Sequence, residues 1–141
     1  MTVSPTAIGN VLPKYRNALA IRSVTGGQVM NILTVPGVAN EPFKAALESS
    51  LSAAGYLARG NAKYQIDAEI RNLEQPLIGL DMDVTANVTY KVVGGGTSQD
   101  YPISAKGSAT FSDSPIGADR VRIANERAMQ ENIKMFFQAL R

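Results

Sequence analysis

A chain of 141 residues, 45% hydrophobic and 18% charged, has the length of one domain and enough apolar content for a real core. Its formal net charge of +2 is too mild to argue for nucleic acid or an anionic membrane. The absence of His, Cys and Trp removes the commonest general base and metal ligand, any disulfide, any thiolate nucleophile and any Cys-based zinc site.

No apolar run approaches the roughly 20 residues needed to span a bilayer. The start, "MTVSPTAIGNVLPKY", lacks the basic onset and apolar core of a signal peptide, so at face value the chain is cytoplasmic. A mature domain cut after a removed signal would read the same. Residues 1–14 hold Pro5, Gly9 and Pro13 without a period, which predicts an arm that is ordered only if it docks. The remainder, 15–141, reads as a single domain.

Residues 17–24 and 29–34 are strand-like runs around "TGGQ", a hairpin signal. "VPGVANEPF" then closes the strand and opens a helix, with Asn40 as N-cap and Pro42 in the first turn. Phe43, Leu47, Ser50, Leu51 and Ala54 form its stripe. Gly55 supplies the stop, and Tyr56 folds back onto the helix end.

Three strands with a clear period of two follow. In the first, Tyr64, Ile66, Ala68 and Ile70 oppose Gln65, Asp67, Glu69 and Arg71. In the second, Met82, Val84, Ala86, Val88, Tyr90 and Val92 oppose Asp81, Asp83, Thr85, Asn87, Thr89 and Lys91. In the third, Tyr101, Ile103, Ala105, Gly107, Ala109 and Phe111 oppose Ser104, Lys106, Ser108, Thr110 and Ser112. One face is buried and one wet, which predicts an antiparallel sheet. The glycines of "VVGGGTSQDY" sit where the chain reverses, and residues 94–100 are expected to form a mobile tip.

A long helix ends the chain, capped by Ser114 with Pro115 at its first position. Its apolar face is Val121, Ala124, Ala128, Met129, Ile133, Phe136 and Leu140, small residues early and large ones late, so the first half can lie close on the sheet. Arg120, Arg127, Lys134 and Arg141 recur at spacing seven on the other side. The order β-β-α-β-β-β-α predicts an α+β fold: a two-layer sandwich of an antiparallel sheet with two helices on one face.

The candidate chemistry is thin. The glycine loop lacks the Lys and the following helix of a phosphate-binding P-loop. No G-x-S-x-G or S-x-x-K occurs, and a Ser-His-Asp triad cannot exist without His. Ser104 and Lys106 share a strand face, but a solvated face does not lower a Lys pKa. Asp81 and Asp83 with Asp67 or Glu69 offer oxygens for a hard cation, though Ca²⁺ wants about 6–8 converging ligands. A charged outer face with Arg71 as cross-strand partner is the plainer reading. "NVT" at Asn87 lies mid-strand, where glycosylation is disfavoured. No catalytic, cofactor-binding or metal residue is therefore assigned, and no cofactor is expected. "EQPLIGL" places Leu77, Ile78 and Leu80 on a connecting loop, either as a plug under the sheet end or as a patch for a partner.

From residue 40 onward the order α-β-β-β-α is that of double-stranded-RNA-binding domains. "SPIGADRVRIANER" carries Arg120 and Arg122 but no lysine cluster, and Asp119 and Glu126 dilute the charge, so a solvated helix face is preferred.

The run "VTGGQVMNILTVPG", the helix "EPFKAALESSLSAAGY", the strands "YQIDAEIRNLEQ" and "LDMDVTANVTYKVV", and the helix "RIANERAMQENIKMFFQAL" together resemble a family. Over roughly residues 18–140 the chain resembles the soluble domain of small Gram-negative envelope lipoproteins of the YajG type, within a wider set that includes the lipopolysaccharide-assembly lipoprotein. The resemblance implies a periplasm-facing, outer-membrane-anchored protein with a signal peptide and a lipid-bearing Cys. The Met-Thr start would then replace the removed segment, and residues 2–14 would be the tether. Family members are not known as enzymes. The expected function is a non-enzymatic accessory domain binding an envelope protein or lipid component. A homodimer through a sheet edge is a further expectation, and no nucleic acid is expected. Membrane contact comes only through the lost anchor. A double-stranded-RNA-binding module using residues 40–141 is the alternative.

Overall fold

A computed structural model describes residues 1–8, 11–30, 36–76 and 79–141. Its elements are α1 (Pro5–Ile8), a 3₁₀ turn (Pro13–Tyr15), β1 (Leu19–Thr25), α2 (Asn40–Ala53), β2 (Tyr64–Glu74), β3 (Met82–Gly94), β4 (Thr97–Ala109) and α3 (Gly117–Ala139). The fold is α+β, a four-stranded sheet in the order β1-β2-β3-β4 with the helices on one face. α3 lies over β3 and β4, and α2 lies beside β1.

The period-two segments become the β2-β3-β4 meander, antiparallel as expected. Ile66, Ala68, Ile70, Val84, Ala86, Val88, Tyr90, Tyr101, Ala105 and Ala109 are all buried, and the alternate residues form the wet face. One expectation is corrected. β1 runs parallel to β2, with Leu19 opposite Tyr64 and Thr25 opposite Glu69. The cause is α2, which carries the chain back along the sheet before β2 begins, and such a crossover makes its two strands parallel. The expected hairpin partner of β1, residues 29–34, lies largely outside the described residues. Met30 and Pro36, at its margins, form an isolated antiparallel bridge.

The glycine tip is also corrected. β4 already begins at Thr97, which pairs with Gly94, so the loop is only Gly95–Gly96. Both have positive φ, 59° and 77°, as a two-residue hairpin turn of the primed type requires. Thr97, Ser98, Gln99 and Asp100 are exposed, so this stretch of strand carries no apolar alternation to betray it.

Two helix starts differ from expectation. Asn40 is the first residue of α2 and Ala39 its cap; the Asn40 side chain instead accepts a 2.7 Å bond from the Gly27 N–H, tying the turn after β1 to the helix. α3 begins at Gly117, capped by Ile116 without a side-chain bond, because Ser114 Oγ accepts from the Ile116 N–H within the preceding turn. The C-terminus of α2 follows the sequence. Gly55 takes φ 78°, its N–H reaches Ser52 O, and the Tyr56 N–H reaches Leu51 O at 2.9 Å. That is a Schellman motif, and Tyr56 is fully buried against the helix end.

The arm docks. It runs in the gap between α2 and α3: Val3 is buried, its N–H donates to Ser50 Oγ at 2.8 Å, and Gln130 Nε2 on α3 donates to Thr2 O at 2.8 Å. Ser50, in the α2 stripe, passes its own proton to Ala46 O, so this buried hydroxyl is fully used. Further along, the Leu12 N–H donates to Tyr56 Oη and Tyr15 Oη to Arg141 O.

The core is graded along α3. At its first half Gly107 of β4 lies directly under Ala124 and Ala128. At its second half the Phe136 ring stacks on Tyr90 at 3.9 Å and meets Tyr101 edge-on at 5.6 Å. Between them Asn132, fully buried, accepts from Tyr90 Oη at 2.7 Å and donates to Ala86 O and Ile103 O.

Burial holds the Tyr15 hydroxyl up to about 12, helped by the neighbouring phenols of Tyr101, Tyr64 and Tyr56. Burial pushes Tyr90 well above the usual range. A tyrosine raised in the folded chain contributes stability that is complete below its unfolded pKa of about 10 and is lost as pH rises through the folded value. Stability is therefore expected to fall from about pH 10 upward, as these two phenols ionise on unfolding. Tyrosinate absorbance and far-ultraviolet circular dichroism, followed together through an alkaline titration, check this. Complete ionisation of all five tyrosines with the fold intact would contradict it.

Candidate interaction surface

One end of the sheet gathers the loops that carry exposed apolar side chains. There β1 and β2 stop, β3 begins, β4 ends and α3 starts. The loop after β1 is tied to this end through Pro36 O, which accepts from Gln75 Nε2 at 2.6 Å and Asn125 Nδ2 at 2.8 Å. Gln75 also donates to Asn125 Oδ1 at 2.9 Å, so the end of β2, the β1 loop and α3 share one polar joint. Around it Val29 is 74% exposed, Leu80 69%, Ile116 59%, Phe111 55% and Met30 53%. Among the described residues these are all the exposed large hydrophobics except Val11.

Leu80 thus stands in solvent, as the patch reading of "EQPLIGL" requires; Leu77 and Ile78 lie outside the described residues. Phe111, counted with the buried stripe of the third strand, is two residues past the end of β4 and is exposed. Ile116 follows Pro115 in the turn before α3. Ile116, which continues neither an alternating nor a helical period beside the short polar turn "SDSP", was the available signal for this surface; Phe111 was masked by continuing the alternation of the strand before it. A hollow of about 230 Å³ opens beside it, lined by Met1, Val29, Val38, Pro42, Arg122 and Asn125.

Arg120 is at the centre of this end. It was counted in the solvated basic row but is only 6% exposed. Helical side chains lean toward the N-terminus, and this one folds back over the first turn. Nη1 donates to Ser114 O at 2.9 Å, Nη2 reaches Gly79 O at 3.4 Å, and Cζ lies 5.7 Å from the Phe111 ring centroid. Its Nε has no hydrogen-bond partner among the described residues.

Arg127 and Lys134 of the basic row, and Arg122 beside it, are paired with acids. Arg127 makes a paired contact with Asp113 at 2.8 and 3.0 Å and also donates to Ser108 O. The Arg127 guanidinium beside it, with the Thr110 N–H, holds the Asp113 carboxyl down at about 2. Arg122 meets Glu126 at 3.4 Å, and Lys134 meets Glu131 at 3.5 Å. Phosphates need uncommitted cations, and those predicted to meet RNA, Arg120 and Arg122, are respectively buried and paired.

The wet face holds a shallow hollow of about 360 Å³ near Ser23, Thr25, Asp67, Glu69, Lys91 and Asp100. Asp67 is taken by the Arg22 guanidinium and by Ser23 Oγ, which hold its carboxyl below the usual range against the opposing pull of burial. Arg71 pairs with Glu69 on its own strand, and Asp83 accepts from Ser108 Oγ. Asp67 faces Lys91, eight residues along β3 from Asp83, or about 26 Å by strand rise, so the carboxylates considered for a cation do not converge. Among the described residues no group of three or more acidic side chains could hold a metal. Ser104 and Lys106 are exposed on the wet face, opposite Asn87 and Thr85. Asn87 itself donates to Asn72 Oδ1 across the sheet at 2.7 Å.

Among the described residues no helix is long and apolar enough to cross a membrane. No protein-family model and no curated protein matches the chain. Solved structures similar to it include the following two. One is a protein of Caulobacter crescentus CB15, provisionally described as a lipoprotein, at 14% identity and TM-score 0.48, covering 83% of this chain and 84% of that one. The other is a hypothetical protein from Chlamydia trachomatis at 12% identity and TM-score 0.49, covering 86% of this chain and 92% of that one.

Proposed function

We propose that this chain is a non-enzymatic accessory domain of the envelope lipoprotein kind, and that it captures a protein partner through the end of the sheet where α3 begins. The observation that carries the reading is the concentration of Val29, Met30, Leu80, Phe111 and Ile116 on loops at that one end. Apolar side chains scattered singly need no explanation, but a cluster rimmed by polar residues marks an interaction surface. The sheet edges are less suited to it. β4 carries Pro102 and Lys106, and β1 has a register shift between Ile21 and Ser23, devices that discourage strand addition. The RNA reading is disfavoured by the pairing along α3.

Leu80→Asp with Phe111→Asp is expected to cut partner capture at least about tenfold, since interface anchors carry more than 1 kcal/mol each. Both side chains are exposed, so stability should change by no more than about 0.5 kcal/mol per site. Crosslinking to the purified domain in envelope extract, quantified beside a thermal melt, reads both. Undiminished capture by the double variant would remove the surface from consideration. The envelope setting rests on the YajG-type resemblance and predicts a leader and a lipid-bearing Cys in the gene ahead of residue 2. Palmitate labelling of the full-length product tests that point.

A further inference from the structure

We propose that the N-terminal end of α3 recognises a carboxylate carried on an apolar segment of the partner protein, with Arg120 as the cation that receives it. This rests on the docking reading above and adds the chemistry of the partner. The electrostatics of the free site are incomplete. A 23-residue helix presents about half a positive charge at its N-terminus, where anions are favoured, and no side chain caps this one. The Arg120 guanidinium lies on top of it, with Nη2 only 3.7 Å from where a Gly117 Cβ would stand. It is nearly buried, makes no ion pair among the described residues, and leaves Nε unbonded. The acidic side chains nearby make no ion pair with it: Asp119, in the first turn of α3, accepts from Ser114 Oγ, and Asp113 is held by Arg127.

A buried charge without a counter-ion is costly, and the same charge pairs strongly with a carboxylate that arrives with its own desolvating surroundings. Those surroundings are prepared. The Phe111 ring covers the guanidinium, Ile116 adjoins Gly117, and Leu80 adjoins the Gly79 carbonyl to which Nη2 donates. All three are more than half exposed. A free inorganic anion would leave this collar in water, whereas a carboxylate between apolar side chains covers both. An anionic bilayer is the poorer match, since Asp81 and Asp113 lie on the adjoining loops and Asp119 in the first turn of α3. A buried Arg ringed by apolar residues is the arrangement of an interface hot spot.

The test uses two capped peptides, one with a central aspartate between leucines and one with asparagine in its place, titrated into the whole chain and followed by amide chemical shifts. The aspartate peptide is expected to bind about tenfold or more tightly, moving the amides of Gly117, Ala118 and Arg120. Arg120→Met should abolish the preference while its melting temperature stays at or above the parent's, because removing an uncompensated buried charge does not cost stability. Phe111→Ser, at an exposed site, should weaken both peptides alike. Equal binding of the two peptides overturns the proposal while leaving the docking surface standing. A marked loss of stability in Arg120→Met also overturns it, since the guanidinium is then a staple for the loops around it. Arg120-dependent binding of phosphatidylglycerol vesicles without peptide preference would give the site to a lipid headgroup instead.

Discussion

Gly107→Val is expected to unfold the protein or to lower its melting temperature by about 10 °C, a loss of roughly 3 kcal/mol in a chain of this size. A Cβ at Gly107 would stand 2.2 Å from Ala128 N and 2.5 Å from Ala124 O. These are backbone atoms of α3 and cannot swing aside as a side-chain tip can. The helix would have to lift, and lifting it opens the packing of Val121, Ala124 and Ala128, all buried against the sheet. Gly107→Ala carries the same clash with less bulk and should lie between valine and the parent. Gly60→Ala is the control, because nothing stands within 4 Å of a Cβ there, and its effect should remain within about 0.5 kcal/mol. Thermal melts of the three variants decide the matter. A valine variant that melts with the parent would mean that α3 does not sit this close to β4.

Phe136→Ala is expected to cost about 4 kcal/mol, a typical loss for a fully buried aromatic. The ring is fully buried, stacked on Tyr90, edge-on to Tyr101 and 5.8 Å from Phe137. How far a cavity heals sets the cost of making it. Here Asn132, one turn earlier on α3, is bonded to Tyr90 Oη and to carbonyls on both β3 and β4. That fixes the helix against the rotation that would close the gap. Asn132→Leu in the Phe136→Ala background should therefore cost less than the sum of the two single changes. Denaturant unfolding of the two single variants and the double measures the coupling directly. Strict additivity would show that Asn132 places no such restraint on the helix.

What the sequence disclosed follows from where burial is one-sided. β2, β3 and β4 each cover one face and wet the other, so their residues alternate and their buried faces could be read, though not the end of β2 or either end of β4. The gradient from Ala124 to Phe136 likewise stated how α3 approaches the sheet. Strand direction left no such trace. The residues of β1 carry no mark of whether its neighbour is parallel, and the crossover through α2 settles the matter. Polar strand left none either: with Thr97 to Asp100 exposed, a two-residue turn read as a seven-residue tip. Asn40 and Ser114 are good capping residues whose oxygens went to other donors. The candidate surface was legible only through Leu80. Phe111 continued the apparent alternation of β4 one step beyond the strand's real end. Arg120 kept the spacing of a solvated row while its side chain turned inward, a choice made by the loops that meet it and not by its neighbours in sequence.

The docked arm has a consequence for how this protein is born. During synthesis the arm is made well before the last of its partners: Tyr15 bonds to a carbonyl 126 residues on, and Thr2 to a side chain 128 residues on. Ser50 and Tyr56 can meet the arm early, but its contacts with α3 and the Arg141 carbonyl form only once those residues have been made. Pairings so remote in sequence also slow the final closure. Through that interval the emerging chain offers chaperones a nascent segment whose apolar residues are only partly covered.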